Sequence, residues 1–168
     1  MFTVVTGRYN NDTWHETEIC RARIKRACIY GPPNRLSETI PISTPVYVIE
    51  MNNSINQIMG IGLINNKVVT DKVYRIHKDT NFNRYIYIGD HHLSRELLEL
   101  YHPHLVAVLD EILFKGYTHS KRGSGLMRIP EKALTHDICK DIDIKREIRT
   151  IFIRHYKDNI KAEQSIEV

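Results

Sequence analysis

Residues 45–64 read PVYVIEMNNSINQIMGIGLI. The runs 45–51 and 57–64 are rich in Val, Ile and other strand-forming residues, and a polar segment at 52–56 separates them. Asn and Ser between two apolar runs are typical of a turn, so the segment predicts a β-hairpin. Gly60 and Gly62 leave one face of the second strand bare, which permits a bend or a close approach by a ligand or by packed backbone.

Further strands are predicted on both sides of this hairpin. The β-branched run 2–6 ends at Gly7, and a short strand at 27–30 is stopped by Gly31-Pro32-Pro33. After the hairpin, the segments 73–77 and 84–88 alternate around a polar turn. Strands at this spacing predict a curved sheet or a small barrel within residues 1–90.

Helical signals dominate after residue 90. Ser94 is placed to cap a short helix, and Pro103 is placed to begin a second one that ends near Gly116. A last helix is expected over about 141–160. The two longer helices carry apolar stripes, formed by Leu105, Leu109, Ile112 and Leu113 and by Ile144, Ile148, Ile151 and His155. Before the hairpin, Thr13 with Glu16 predicts a capping box for a helix through residue 23.

Composition limits the class of protein. The chain has 168 residues, of which 42% are hydrophobic and 26% charged, so it suits one globular domain and excludes collagen, coiled-coil and low-complexity chains. No segment is long and apolar enough to span a bilayer, and no signal-peptide pattern is present, so we expect an intracellular protein with no membrane partner. The net charge of +4 arises in residues 115–168, which hold 12 Lys/Arg and 8 Asp/Glu. Such basicity fits a polyanionic partner and equally an ordinary solvated surface.

Motifs for catalysis or metal binding are weak. The three cysteines form no C-x-x-C pair, and the paired histidines at 91–92 and at 102 and 104 lack further ligands at suitable spacing. No nucleophile motif, phosphate loop or dinucleotide fingerprint occurs. We therefore expect no metal, no cofactor and no catalytic residues, and a non-enzyme is favoured over an enzyme.

Residues 8–14, RYNNDTW, follow the first strand directly and contain the chain's only tryptophan. An aromatic face among amide and hydroxyl groups, at a strand-to-helix junction, is what holding an unstacked base requires. We therefore expect Trp14 to stack on a base, and its replacement by Ala to cost less stability than the roughly 3 to 5 kcal/mol typical of a buried aromatic. The alternative is that Trp14 anchors the helix to the core.

A loop at 117–125 supplies a candidate phosphate site. Its segment Lys121-Arg122-Gly123-Ser124-Gly125 combines two cations with a flexible backbone that can present N–H groups to an anion. We expect Lys121 and Arg122 to contact phosphate. The alternative is a mobile surface loop.

The hairpin and the opening strand resemble the PUA-like superfamily, in particular its EVE and YTH branches. The shared features are an apolar strand at 46–51, an Asn-containing turn, and a strand with a Gly-hydrophobic-Gly step at 59–62. The strand that leads from residue 2 into the polar run after Tyr9 resembles the start of those domains. The match covers about residues 1–90. It implies a small β-barrel with flanking helices that holds a modified nucleotide in an aromatic-lined pocket.

The resemblance also implies roles for individual residues. Tyr9 and Asn11 would touch the nucleotide, Trp14 would be the pocket aromatic, and Asn52 in the turn would hydrogen-bond the base. Readers of methylated adenine in the YTH branch build a cage from two or three aromatics. The candidates for the additional rings are Tyr30, Tyr47, Tyr74 and Phe82.

A second resemblance extends along the whole chain. Residues 5–14, 49–63, 112–125 and 129–132 resemble a protein found among large nucleocytoplasmic DNA viruses. This likeness implies the cytoplasm or nucleus of a host cell, or a virion, and an AT-rich genome. The amino-acid usage agrees, because Ile, Asn, Lys, Tyr and Phe together number 58 against 19 for Ala, Gly and Pro.

These observations predict a single α+β domain over residues 1–168. It would have a PUA-like barrel at 1–90, and a helical part with the basic loop and a C-terminal helix at 91–168. The leading function is non-enzymatic binding of nucleic acid, either RNA or single-stranded DNA, or of a modified nucleotide. The alternative is a structural or protein-interaction module of a large DNA virus. The predicted nucleotide site comprises Arg8, Tyr9, Asn11, Trp14, Asn52 and Ser54, and the predicted phosphate site comprises Lys121 and Arg122.

Overall fold

The predicted hairpin lies inside a mixed five-stranded sheet in the computed structural model, which describes the backbone of residues 1–166 and the side chains of residues 1–157. The strands are β1 (Thr3–Tyr9), β2 (Cys28–Tyr30), β3 (Pro45–Asn52), β4 (Gln57–Asn65), β5 (Tyr87–Gly89), β6 (His91–Ser94) and β7 (Met127–Arg128). The helices are α1 (Asn11–Ile24), α2 (Arg95–Tyr101), α3 (Pro103–Phe114), α4 (Glu131–Leu134) and α5 (Ile144–Ile166). Short 3-10 turns lie at Thr80–Asn83, Gly116–Thr118 and Asp137–Cys139. The fold is therefore mixed α and β.

The strand order in the main sheet is β6-β4-β3-β1-β7. β1 runs parallel to β3, with Thr3 opposite Val46 and Tyr9 opposite Asn52. The other neighbouring strands are antiparallel. The first strand and the hairpin are therefore neighbours in one sheet. Because β1 and β3 are parallel and in register, the residues that follow β1 lie beside the hairpin turn.

The strands do not close into a barrel within the described residues. β2 and β5 form a separate two-stranded antiparallel sheet, and β6 and β7 are the edges of the main sheet. The strand predicted at 73–77 is absent. Oδ1 of Asn83 accepts the N–H groups of Ile76 and His77 at 2.9 and 2.8 Å, so a side chain takes the place of a neighbouring strand there. The PUA-like barrel remains a prediction.

Helix α1 begins earlier than the pattern of Thr13 and Glu16 predicts. Asn10 is the N-cap: its Oδ1 accepts the N–H of Thr13 at 2.8 Å, and its own N–H donates to Oγ1 of Thr13 at 2.9 Å. Thr13 therefore occupies the third helical position of a capping box, and the predicted box at Thr13 and Glu16 is wrong. Asn is at least as good an N-cap as Thr, and Asn10 is the first such residue after β1, so the helix begins there.

Helices cover one face of the main sheet, and α1 with the small sheet covers the other. On the first face the predicted stripes of α3 and α5 are buried, as shown by Leu109, Ile112 and Ile148, each 0% exposed. On the second face Val5 and Val48 pack within an apolar cluster that extends to β2 and β5. No helix within residues 1–166 has the length and hydropathy needed to cross a bilayer.

Candidate functional site

A cleft of about 340 Å³ opens at the end of β1. Three segments enclose it: residues 8–13, residues 77–82 and the loop 121–125, with Asn53 of the hairpin turn at its edge. Its volume is within the range of about 300 to 1,000 Å³ that is usual for small-molecule sites. The segments 8–14 and 121–125, which the sequence predicted as ligand contacts, therefore both contribute to one concave site.

One wall of the cleft is aromatic. The His77 ring centroid lies 6.5 Å from that of Tyr9 and 6.4 Å from that of Phe82. Phe82 is 41% exposed, whereas Tyr9 is buried and is held edge-to-face by Trp14 at 5.2 Å. A smaller cavity of about 60 Å³ adjoins this wall and is lined in part by Tyr9, Phe82 and Tyr30. A planar ring that enters the cleft would meet aromatic surface.

The floor of the cleft contains Arg8. Its Nη1 donates to Oγ1 of Thr6 at 2.9 Å and to the Ser120 carbonyl at 3.1 Å, and its Nη2 donates to the carbonyls of Thr6 at 3.1 Å and Gly125 at 2.7 Å. Nε of Arg8 is buried and has no hydrogen-bond partner. Burial lowers the pKa of this guanidinium, which still carries its charge at neutral pH. All of its partners in the described chain are neutral, so its positive charge is uncompensated.

The glycine-rich loop is shaped around Arg8. A Cβ on Gly123 would lie 2.7 Å from Cζ of Arg8, so only glycine lets the loop pack this closely on the guanidinium. Gly125 has a φ of +68°, a left-handed conformation that favours glycine. Nδ2 of Asn53 donates to the Lys121 carbonyl at 3.0 Å and ties the loop to the hairpin turn. These contacts fix the loop across the cleft, which brings Lys121 to its mouth.

His77 is oriented by Glu16 of α1. Nδ1 of His77 lies 3.2 Å from Oε1 of Glu16, and Oε2 of Glu16 accepts the N–H of Lys78 at 2.8 Å. Burial acts to raise the pKa of Glu16, but the hydrogen bonds from Lys78 and His77 and their charges outweigh it and lower that pKa. An ionised Glu16 accepts a hydrogen bond from the Nδ1–H of His77, so Nε2 is the ring nitrogen left for a ligand.

Three predicted site residues line the cleft, namely Arg8, Tyr9 and Lys121. Asn11, Asn52 and Ser54 also lie together, but they hydrogen-bond one another. Nδ2 of Asn52 donates to Oδ1 of Asn11 at 3.0 Å, the N–H of Asn11 donates to Oγ of Ser54 at 3.0 Å, and the N–H of Ser54 donates to Oδ1 of Asn52 at 3.0 Å. These bonds tie the start of α1 to the hairpin turn.

The remaining predicted residues, Trp14 and Arg122, do not line the cleft. Trp14 is 9% exposed, and its Nε1 donates to Oε1 of Glu18 at 3.1 Å. It borders a different cavity, of about 420 Å³, together with Arg21 and His92. Arg122 is exposed. Trp14 therefore supports the Tyr9 ring from behind.

The candidates for additional aromatic rings divide into two groups. Tyr30 and Phe82 lie beside Tyr9, in the cavities already described. Tyr47 packs instead on Phe152, with ring centroids 5.0 Å apart, and Tyr74 belongs to a separate apolar cluster.

Sequence reasoning missed His77 and Asn53. The segment 73–77 was expected to be a strand, which would have directed its side chains to the faces of a sheet. The polar turn DTNFN at 79–83 is the signal that could have located His77. Asn83 in this turn hydrogen-bonds the backbone of His77. The contact of His77 with Tyr9 of β1 is a tertiary contact, which no local sequence pattern predicts.

A second polar cluster is buried on the α1 side of the sheet. Oε1 of Glu50 accepts from Nη2 of Arg21 at 2.5 Å and from the Tyr30 hydroxyl at 2.7 Å, and Oε2 lies 2.9 Å from Nε2 of His92. Burial acts to raise the pKa of Glu50, but the charges of Arg21 and His92 and their hydrogen bonds lower it to about 2. A Cβ on Gly62 would collide with the Tyr30 hydroxyl, so the glycine step makes room for core packing.

Neither a metal site nor a match to a known protein assigns a function to the cleft. Among the described residues, no group of three or more His, Cys, Asp or Glu side chains is arranged to hold a metal ion. Comparisons of the chain with protein-family models, with curated proteins and with solved structures found no match. Function is therefore inferred from the chemistry of the cleft.

Proposed function

We propose that this protein binds a nucleotide unit of RNA or single-stranded DNA in the cleft, without catalysing a reaction. The observation that carries the proposal is the combination, in one concave site, of an aromatic wall with the uncompensated charge of Arg8. A nucleotide has the matching chemistry, a planar base joined to an anion.

The aromatic wall is the base side of the proposed site. Phe82 exposes enough of its ring to stack, and His77 and Tyr9 continue the surface. Base stacking on an aromatic side chain contributes about 1 to 3 kcal/mol. The resemblance to PUA-like domains predicts a modified base, and the adjoining cavity of about 60 Å³ supports this prediction because it offers space for a small apolar substituent.

Arg8 and Lys121 form the phosphate side. Arg8 is enclosed by carbonyl groups, so an anion at the mouth of the cleft gains from its charge in a medium less polarisable than water. Lys121 has no ion pair in the described chain, so its ammonium group is available to contact the phosphate. Asn53 supplies a buried Oδ1 without a hydrogen-bond partner at the same edge.

Equilibrium binding of a labelled single-stranded oligonucleotide, measured from low to high salt, tests the proposal. Phe82→Ala should weaken binding by about 1 to 3 kcal/mol, because a stacking surface is lost. Lys121→Ala should weaken binding to all sequences and reduce the slope of log affinity against log salt by about 0.7, the value for one phosphate of a single strand.

Tyr117→Ala is the matched control, since this ring is 70% exposed and stacks on His136 at 5.7 Å, outside the cleft. It should leave affinity unchanged. The proposal would be contradicted if no oligonucleotide binds. It would also be contradicted if binding does not depend on salt and Phe82→Ala and Tyr117→Ala change it equally. The structural or protein-interaction role in a large DNA virus would then be favoured.

A further inference from the structure

Two arginines lie over the ring of Tyr85, three residues after Phe82 of the cleft. Cζ of Arg35 lies 5.3 Å, and Cζ of Arg84 lies 5.8 Å, from the centroid of the Tyr85 ring. Both arginines are exposed, whereas Tyr85 is partly buried and packs against the apolar cluster below it. The arrangement holds a ring and two planar cations in a small area of surface.

These two charges have no carboxylate partner within the described residues. Glu38 is exposed and makes no ion pair there, and Asp79 uses its Oδ1 to accept the N–H of Asn81 at 3.0 Å. Like charges drawn to one ring repel each other, and a bound anion would reduce that repulsion. The planar guanidinium fork suits phosphate in geometry and also stacks on aromatic faces.

The position of Tyr85 connects this surface to the cleft. Its N–H donates to the Pro32 carbonyl at 3.2 Å, and Pro32 lines the cavity of about 60 Å³ that Phe82 also lines. Phe82 and Tyr85 are three residues apart, so their Cα atoms are separated by at most about 11 Å. The backbone of Tyr85 therefore lies next to the wall of that cavity, within about one nucleotide's reach of Phe82.

We propose that Arg35, Arg84 and Tyr85 form a second nucleotide subsite, which receives the nucleotide that adjoins the one in the cleft. The two guanidinium groups bind its phosphate, and the tyrosine ring holds them in position. The ligand is therefore a strand of at least two nucleotides and not a free mononucleotide. This inference rests on the proposed function of the cleft.

Affinity as a function of ligand length tests the second subsite. Competition binding would compare a nucleoside monophosphate with oligonucleotides of two, four and eight residues of the same base. For the unaltered protein we expect a gain of at least tenfold from the monophosphate to the tetranucleotide. The double variant Arg35→Ala/Arg84→Ala should lose this gain while it keeps its affinity for the monophosphate. Its salt slope should fall by about 0.7, because the two guanidinium groups contact one phosphate of the strand.

The control variant is Lys72→Ala/Arg154→Ala, which removes two cations that also lie over tyrosine rings, at 5.1 Å from Tyr74 and 5.3 Å from Tyr101. It should keep the length-dependent gain. If the Arg35/Arg84 variant keeps the gain, or the control loses as much, the second subsite is wrong although the cleft still binds. If neither the monophosphate nor any oligonucleotide binds, the proposed function itself fails.

Discussion

Arg8 contacts both ends of the loop that closes the cleft, through the carbonyls of Ser120 and Gly125. The sequence predicted this residue as a ligand contact, and it lies in the site, but four of its hydrogen bonds go to the protein itself. Its position is therefore fixed before a ligand arrives, which reduces the entropy lost on binding. A lysine could not replace it, since one ammonium group cannot hold both carbonyls in the same planar geometry.

Glu50 is the residue on which acid stability should depend most. Its pKa is lowered from 4.5 to about 2 in the folded protein, so its contribution to stability is complete above pH 4.5 and is lost as the pH falls toward 2. Glu50→Gln leaves Arg21 buried without its counter-charge, and we expect a loss of about 3 to 5 kcal/mol in the free energy of unfolding at pH 7.

Urea denaturation at pH 7 and at pH 3 measures this effect. The difference between Glu50→Gln and the unaltered protein should shrink at pH 3, because the unaltered protein loses part of the same contribution there. Glu38→Gln is the control, since Glu38 is exposed and unpaired in the described chain. A difference that stays constant or grows at pH 3 would show that the charge of Glu50 is not the cause.

Trp14 should matter for folding more than for binding, which reverses the sequence-based expectation. It is 9% exposed, packs on Tyr9 and has Arg21 over its ring at 5.3 Å. Trp14→Ala should lower the free energy of unfolding by about 3 to 5 kcal/mol. Thermal denaturation checks this, with the exposed Tyr117→Ala as a control that should change little. A fully stable Trp14→Ala protein that no longer binds oligonucleotide would restore the stacking role.

At the scale of elements, the side chain of Asn83 bonds three backbone groups of the segment 76–83. Oδ1 of Asn83 accepts the N–H groups of Ile76 and His77, and its Nδ2 donates to the His77 carbonyl at 2.7 Å. This segment has no neighbouring strand to fix it, although it carries both His77 and Phe82. The side chain of Asn83, together with Glu16 of α1, thus fixes the position of the aromatic wall.

Asn83→Ala should therefore weaken oligonucleotide binding by loosening the wall. We expect a loss of about 1 to 3 kcal/mol in stability, since buried backbone groups lose their partner, together with reduced affinity. Asn81→Ala is the matched control, as Asn81 is exposed and only its backbone N–H is bonded, to Asp79. Hydrogen exchange at residues 76–77 would report the loosening directly. Unchanged exchange and affinity would contradict this role.

Local patterns predicted the elements that local forces determine. The hairpin, β1, and the stripes of α3 and α5 follow from apolar periodicity, and each is present. The start of α1 was misplaced because Asn10 and Thr13 are both good caps and only the end of β1 decides between them. The strand at 73–77 failed because Asn83 satisfies its backbone, a choice that periodicity does not reveal.

At the scale of the molecule, residues 1–90 do not contain the whole sheet. The edge strands β6 and β7 come from 91–94 and 127–128, and α3 and α5 cover one face of β3 and β4. The sequence predicted the barrel core to end at 90 because the alternating pattern stops there. Short edge strands such as β7, with two residues, have too little sequence to be recognised.

A fragment of residues 1–90 should therefore fail to fold on its own. It would expose the apolar face that α3 and α5 bury, including Ile49, Ile58 and Ile61. We expect no cooperative thermal transition by circular dichroism, whereas the whole chain should unfold in one transition, as single domains of this size usually do. A cooperative transition for the fragment would show that the barrel-like part is an independent unit.

The placement of β1 between β3 and β7 has a consequence for biosynthesis. β1 leaves the ribosome before the other strands of this sheet, yet Thr6 and its neighbour Met127 are 121 residues apart in the chain. At about 5 to 20 residues per second, translation needs about 6 to 24 s to supply that neighbour. During this time one edge of a Val-rich strand stays open to other nascent chains, so chaperone demand should be highest before residue 128 emerges.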